Sequence, residues 1–314
     1  MRYYAAPMEG ITGYIYRNTH HECFGGCDRY YMPFIDPKDQ ASLMRKEKKD
    51  IAPDNNRGIP VIPQILTNRA DKFLKTVNML ADLGYTEANL NLGCPSGTVV
   101  SRGKGSGFLA YPDRLREFFD AVFDKIPLRI SVKTRLGMED PEEIMALMEI
   151  YNDYPISEVI LHARVREDYY KRPVRPEAFG QALAISRHPL CYNGDLYFPE
   201  DVRMVEDRFP HICAVMLGRG LIANPQLAAC VRDGQEEDKE KWFAFMRILC
   251  DRYQEAIGNN ALFKMKEIWT HMIMHFPHAG AAGKKLLKAK SLADYRFRLE
   301  RLAEEYHKEY QRGS

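Results

Sequence analysis

Four short apolar runs decide the fold: LRISVK at residues 128–133, EVILH at 158–162, PLCYN at 189–193 and CAVML at 213–217. They are rich in Val, Ile and Leu and do not alternate with polar residues, which is typical of parallel strands buried on both faces. Helix-like segments separate them. This part of the chain therefore predicts repeated strand–helix units.

The same pattern extends towards the N-terminus. Further strands are predicted at 3–8, 29–34, 60–66 and 87–92, and amphipathic helices at 70–83, 112–123, 141–151 and 199–208. Eight strand–helix units over about 235 residues predict an α/β fold, a (β/α)8 TIM barrel, for residues 1–235. From about Lys241 the pattern is purely helical, so residues 241–314 are predicted to form a small all-helical domain after a linker at 233–240.

Composition and charge narrow the functional classes. The 314-residue chain has a net charge of +2 and 45% hydrophobic residues, and it contains no apolar run long enough to span a membrane. A signal peptide is not expected, and its seven cysteines fit reduced thiols, so a cytoplasmic protein without a membrane partner is expected. Residues 241–314 hold 14 Lys and Arg against eight Asp and Glu. Either a polyanionic partner or a solvated helical face explains this excess.

Polar and special residues follow the predicted strands at the end where barrel chemistry occurs. They are Pro7, Met8 and Glu9 after the first strand, Gln64 in the third, Asn91 and Cys94 in and after the fourth, Lys133 in the fifth, His162 and Arg164 at the sixth, Asn193, Gly194 and Asp195 at the seventh, and Gly218 and Arg219 after the eighth. Any one of them alone is explained as a core polar group. Seven strand ends together predict a site.

These residue types suit a phosphorylated planar cofactor. Lys133 offers a fixed cation, and Gln64 and Asn193 offer amides to a heterocycle. Gly218 and Arg219 supply backbone N–H groups and a cation after the eighth strand, where barrels commonly bind phosphate. Flavin mononucleotide (FMN) fits this set better than a dinucleotide does.

Other motifs are weaker. Residues 218–223 match the dinucleotide pattern G-x-G-x-x-A, but no further strand follows them. The glycine-rich stretch at 103–107 lacks the spacing of a P-loop. Cys23 and Cys27 form a single Cys-x-x-x-Cys pair, so no metal site is predicted.

Cys94 lies in a tight turn, Asn-Leu-Gly-Cys-Pro. An unshifted thiol is mostly protonated at pH 7 and is able to act as a general acid. The following segment, 96–107, contains four glycines together with Arg102 and Lys104. Long glycine-rich loops are often functional, so this one is a candidate active-site lid.

Six of these motifs together resemble the tRNA-dihydrouridine synthases. They are APMEGIT at 6–12, NLGCP at 91–95, VKTR at 132–135, HAR at 162–164, NGD at 193–195 and GRG at 218–220. The likeness covers essentially the whole chain. It implies an FMN-containing barrel, a C-terminal helical domain that binds tRNA, and NADPH-dependent reduction of the C5–C6 double bond of uridine.

The resemblance also implies residue roles. The cofactor would be lined by Pro7, Met8, Glu9, Gln64, Lys133, His162, Asn193, Gly194, Asp195, Gly218 and Arg219. Cys94 would protonate C5 after hydride passes from the flavin N5 to C6. The RNA would meet Asn91, Arg102, Lys104 and Arg164, with Lys285 and Lys288 on the basic tail, and a monomer is expected.

The sequence departs from the family pattern in places. Gly13 replaces an acid that usually follows Gly-Ile-Thr, Ala163 replaces a glycine, and the segment 165–170 keeps an aromatic but not the common glutamine. Two alternatives remain: an FMN barrel oxidoreductase acting on an unsaturated small molecule, and an RNA-binding protein that has kept the barrel without activity. The basic C-terminal part argues against the small-molecule oxidoreductase. The intact Cys94 argues against the inactive RNA-binding protein.

Overall fold

A computed structural model describes residues 1–38, 43–276 and 280–313. Nine parallel strand segments form a single sheet: β1 (Arg2–Ala5), β2 (Arg29–Tyr31), β3 (Val61–Ile62), β4 (Gln64–Ile65), β5 (Glu87–Leu92), β6 (Arg129–Arg135), β7 (Val159–His162), β8 (Leu190–Asn193) and β9 (Ala214–Leu217). Their order is β3-β2-β1-β9-β8-β7-β6-β5-β4. The two ends of this order are consecutive in sequence, so the sheet curls into a nearly closed barrel.

Prolines explain where the strands differ from the prediction. β3 and β4 are two halves of the predicted third strand, separated by Pro63, which has no N–H to donate to a sheet ladder. Ile35 pairs with Ile65 beside this break and helps to close the barrel. β2 ends at Tyr31, two residues before Pro33, and is therefore shorter than the predicted strand at 29–34. The (β/α)8 barrel itself is confirmed.

Helices surround the barrel and continue beyond it. The helices of the barrel part are α1 (Tyr14–Cys23), α2 (Arg45–Ile51), α3 (Ala70–Asp82), α4 (Gly97–Val100), α5 (Pro112–Val122), α6 (Glu143–Asn152), α7 (Pro176–Ile185), α8 (Pro199–Arg208), α9 (Arg219–Ala223) and α10 (Leu227–Asp233). Then follow α11 (Lys239–Ile257), α12 (Ala261–Met272), α13 (Gly280–Leu287) and α14 (Leu292–Gly313). Proline opens α5, α7 and α8, where its missing N–H has no helical partner to lose.

The C-terminal helices pack against the barrel rather than standing apart from it. Their hydrophobic core is built around Trp242 and Trp269 and also includes Ile11 and Tyr16 of the barrel. The Lys264 ammonium donates to the carbonyl of Gly10 at 2.5 Å, in the loop between β1 and α1. The helical C-terminal region is thus confirmed and borders the mouth of the barrel, while its role as a separate RNA-binding domain stays a prediction.

In the three described parts of the chain, no helix is both long and apolar enough to cross a membrane.

Candidate active site

One cavity of about 310 Å³ opens at the carboxyl ends of the strands. All eleven residues predicted to line the cofactor lie around it: Pro7, Met8, Glu9, Gln64, Lys133, His162, Asn193, Gly194, Asp195, Gly218 and Arg219. Asn91 and Cys94 line the same cavity. Parallel strands bring their carboxyl ends to one side of a barrel, which is why residues so distant in sequence meet here. Their individual roles stay predictions.

A chain of amides crosses the cavity floor. The Gln64 amide nitrogen donates to Asn89 Oδ1 at 2.7 Å, and Gln64 Oε1 accepts from Asn91 Nδ2 at 2.8 Å. Asn89 Nδ2 in turn donates to the Ser131 hydroxyl at 3.0 Å. These side chains are buried, and such a network fixes the orientation of each amide towards the cavity.

Lys133 is the cation of one wall. Its Nζ donates to Asn193 Oδ1 at 3.0 Å, and Asn193 Nδ2 donates to the carbonyl of Met216 at 2.8 Å. Burial, assisted by the neighbouring positive charge of Arg135, lowers the pKa of Lys133 to about 8. Lys133 is therefore mostly charged at pH 7 but loses its charge in mildly alkaline solution.

Asn91 shapes the turn that presents Cys94. Its Oδ1 accepts from the backbone N–H groups of Gly93 at 3.1 Å and Cys94 at 3.0 Å. The Asn91 side chain is buried and holds this turn and Gln64, and its predicted contact with the RNA stays a prediction. Burial raises the pKa of the Cys94 thiol above its ordinary value, and the nearby cations offset this only in part. The thiol thus stays protonated at neutral pH.

The glycine-rich loop after Cys94 packs tightly. A Cβ on Gly105, whose φ is +56°, would lie 2.8 Å from the Cys94 carbonyl oxygen, so only glycine fits there. Asn68 Nδ2 donates to the carbonyls of Arg102 and Gly103, and Lys104 Nζ lies 2.6 Å from Asp36 Oδ1. Arg102 is exposed, whereas Lys104 is held by its ion pair with Asp36.

Arg164 lies beneath the cavity, where its side chain is only 2% exposed. It forms a two-pronged ion pair with Asp195, and its Nη1 lies 3.2 Å from His162 Nε2. Asp195 also accepts from Arg219 Nη2 at 2.9 Å. The Arg164 guanidinium holds Asp195 and, through it, Arg219, and the RNA contact predicted for Arg164 stays a prediction.

His162 is a neutral imidazole. Burial, together with the positive charges of Arg135 and Lys133, lowers its pKa well below the ordinary value. Because the Arg164 guanidinium only donates, His162 Nε2 accepts, which leaves the ring proton on Nδ1.

Ten further residues line the cavity that the predicted set does not contain, among them Arg135 and Tyr170. Arg135 is fully buried and donates to the carbonyls of Gly93, Val165 and Tyr169, but its Nη2 has no partner among the described residues. It lies two positions after Lys133 on β6 and thus on the same side of the strand, a signal that was available. Tyr170 stacks on His162 and lies against the guanidinium groups of Arg135 and Arg219, but it follows no strand directly.

The predicted tail residues lie elsewhere. Lys285 is on α13 and Lys288 follows that helix; both are exposed, and neither belongs to the cavity lining.

The fold and the cavity define a barrel protein with its site at the carboxyl ends of the strands, built from cations, amides and one thiol. The family model described as "Dihydrouridine synthase (Dus)" matches residues 4–308, and the chain belongs to this family.

Curated relatives agree with this assignment. The tRNA-dihydrouridine(16) synthase of Aquipseudomonas alcaligenes is 28% identical over 262 residues, covering 80% of this chain and 82% of that protein. The protein of the same name from Pseudomonas putida is 26% identical, with 80% of each chain covered. The tRNA-dihydrouridine synthase B of Pasteurella multocida is 26% identical, with 76% of this chain and 70% of the relative covered.

Solved structures share the fold. A variant of NCR from Zymomonas mobilis superposes with a TM-score of 0.52 at 14% identity, covering 77% of this chain and 90% of that one. Morphinone reductase in complex with tetrahydroNAD superposes with a TM-score of 0.51 at 12% identity and the same coverage.

Proposed function

We propose that this protein reduces the C5–C6 double bond of a uridine in tRNA to dihydrouridine, with FMN as cofactor and NADPH as electron donor. One observation carries the proposal: in a member of the dihydrouridine synthase family, a protonated thiol at Cys94 shares a cavity with the cation of Lys133. Reduction of a double bond needs a hydride and a proton: a flavin held beside Lys133 would supply the hydride, and Cys94 would supply the proton.

The charges around the cavity suit an anionic cofactor. Lys133, Arg135 and Arg219 line it against two carboxylates, Glu9 and Asp195. An excess of positive charge in an enclosed site favours a phosphate and a ring that accepts electrons.

The phosphate end would lie between the last two strands. At Gly220 a Cβ would lie only 1.6 Å from the carbonyl oxygen of Leu196, so this glycine allows the two loops to approach each other. Asp195 fixes the guanidinium of Arg219 beside them. Bound FMN would supply the hydride for C6 of the uracil, with NADPH as its source.

The protein's own groups would complete the reaction. Cys94 would donate its proton to C5, and the raised pKa of its thiol keeps that proton available at neutral pH. Arg135 Nη2 would donate to a uracil carbonyl and so orient the base. A uridine in a folded RNA must leave its stack to reach this cavity, as for other enzymes that act on bases.

We expect the purified protein to be yellow and to release one FMN per chain, because the cavity holds the cations and amides that the cofactor needs. The decisive assay incubates it with NADPH and an unmodified tRNA transcript, followed by nucleoside digestion and mass spectrometry for dihydrouridine. Position 16, named in several relatives, is the first site to map.

Two results would overturn the proposal. One is a colourless protein that FMN does not reconstitute. The other is a flavoprotein that leaves tRNA unchanged while unsaturated small molecules accelerate its NADPH oxidation, which would favour the small-molecule alternative.

The C-terminal lysines are expected to bind RNA. Lys285 and Lys288 are exposed three positions apart, and no carboxylate of the described residues pairs with either. Charge reversal of both to Glu is expected to weaken tRNA binding roughly tenfold across RNA sequences and to reduce its salt dependence, because fewer counterions are released. Fluorescence anisotropy at several salt concentrations measures this, with flavin content as the control. If tRNA affinity changed neither with salt concentration nor with the charge reversal, these lysines would only contribute to solubility.

A further inference from the structure

Helix α2 carries its acidic residues on its buried side and basic residues on its exposed side. Its sequence is RKEKKDI, and both of its acids, Glu47 and Asp50, are buried. The Glu47 carboxylate accepts from the backbone N–H groups of Asp36 at 3.1 Å and Met44 at 2.7 Å. Arg45, Lys46 and Lys48 are exposed. The helix holds four basic and two acidic residues, and its exposed charged residues are all cationic.

The buried carboxylate of Asp50 is engaged in hydrogen bonding inside the protein and therefore does not neutralise the exposed cations of α2. Its Oδ1 accepts from the N–H of Tyr14 at 2.7 Å and so satisfies the first turn of α1. Gly13 precedes that turn and carries no side chain, and a Cβ there would lie 3.3 Å from the same oxygen. The buried Arg17 faces Asp50 at 3.8 Å.

This cationic face borders the mouth of the active-site cavity. Lys46 Nζ lies 2.6 Å from Glu9 Oε1, and Glu9 lines the cavity. The ion pair between Lys104 and Asp36 ties the loop after Cys94 to the segment that leads towards α2. Three further cations beside these ion pairs are exposed: Lys38 lies two positions after Asp36, Arg45 directly precedes Lys46, and Arg102 lies two positions before Lys104.

We propose that Lys38, Arg45, Lys48 and Arg102 form a second RNA-binding surface, the α2 surface, which contacts phosphates next to the nucleotide in the cavity. The proposal rests on the proposed function and adds to it a surface separate from Lys285 and Lys288. Within the described residues, no carboxylate pairs with these four cations. A lipid surface is a poorer match, because the apolar Ile51 of α2 is buried and leaves the helix without an apolar face to insert.

The test compares two charge reversals of equal size. Arg45→Glu with Lys48→Glu changes the α2 surface and leaves Lys46 in place, because its partner Glu9 lines the cavity. Lys125→Glu with Arg187→Glu is the matched control, since both residues are exposed and precede β6 and β8 at the opposite end of the barrel. Affinity for an unmodified tRNA transcript is measured by anisotropy over a range of salt concentrations.

We expect the α2 variant to bind tRNA roughly ten times more weakly than the control. Two lost phosphate contacts should also reduce the slope of log K against log salt by about 1.4 to 1.8. Arg45→Gln with Lys48→Gln, which removes charge without reversing it, should give a smaller loss. It keeps the test valid if the reversal impairs folding, which thermal unfolding reveals.

The outcomes separate the surface from the function. If the wild-type protein forms dihydrouridine but both α2 variants bind tRNA like the control, the proposal that the α2 surface binds RNA is wrong, and the proposed function stands. If the wild-type protein neither binds nor modifies tRNA, the proposed function fails, and the α2 surface fails with it. If the control and the α2 variants lost tRNA affinity to the same extent, the loss would come from the change in net charge alone, and the proposal of the α2 surface would be wrong.

Discussion

Replacing Cys94 with alanine is expected to lower the rate of dihydrouridine formation by about 10²–10⁴-fold, the usual cost of losing a general acid. Flavin binding and NADPH oxidation by oxygen should stay near the wild-type level, because the thiol acts only when C5 receives its proton. The assay follows dihydrouridine in a single turnover with tRNA, and NADPH absorbance in its absence. A split between the two activities identifies Cys94 as a proton donor.

A matched control separates this role from a general effect of removing a thiol. Cys23, the last residue of α1, also has a pKa raised by burial, but it does not line the cavity. Cys23→Ala should leave both activities unchanged. If Cys94→Ala reduced tRNA at the parental rate, the thiol would be merely structural, and if it lost flavin as well, the turn made with Asn91 would be the better explanation.

The strand ends could be predicted because one rule covers them all. Parallel strands of a barrel place their carboxyl ends on one side, so marking where each apolar run stops brought Gln64, Lys133, His162 and Asn193 to one cavity. The direction of a side chain that does not line the cavity could not be predicted in the same way. Whether the Arg164 guanidinium faces solvent or Asp195 depends on packing between neighbouring loops, which a one-dimensional pattern does not contain.

The boundaries of strands and the positions of loop residues were also only partly predictable from the sequence. Pro63 splits one predicted strand in two, a local effect that follows from its missing N–H. Tyr170 reaches the cavity only because its segment folds back over the barrel, where Arg135 binds the carbonyls of Val165 and Tyr169. The charge separation on α2 depends likewise on tertiary N–H donors to Glu47 and Asp50, since the sequence alone shows a helix of mixed charge.

Replacing Lys133 with methionine is expected to slow the reduction of the bound flavin by NADPH on the order of 10²-fold, typical for removal of one preorganised charge. Methionine keeps the length of the side chain and deletes only the cation. Stopped-flow absorbance under anaerobic conditions measures the rate. Lys133→Ala should act in the same direction and should also weaken flavin binding, because it opens space beside Asn193.

The rate of flavin reduction is also expected to depend on pH through the charge of Lys133. With a pKa of about 8, Lys133 is charged below that pH and neutral above it, so the wild-type rate should fall as the pH rises through 8. The other titratable side chains at that wall do not produce such a fall: His162 is neutral throughout, and the raised pKa of Cys94 keeps its thiol protonated there. Lys133→Met should therefore be slow and insensitive to pH from 7 to 9, whereas Lys125→Met, far from the cavity, should keep the wild-type profile. A fall near pH 8 that persists in Lys133→Met would assign it to another group and remove the charge argument for this lysine.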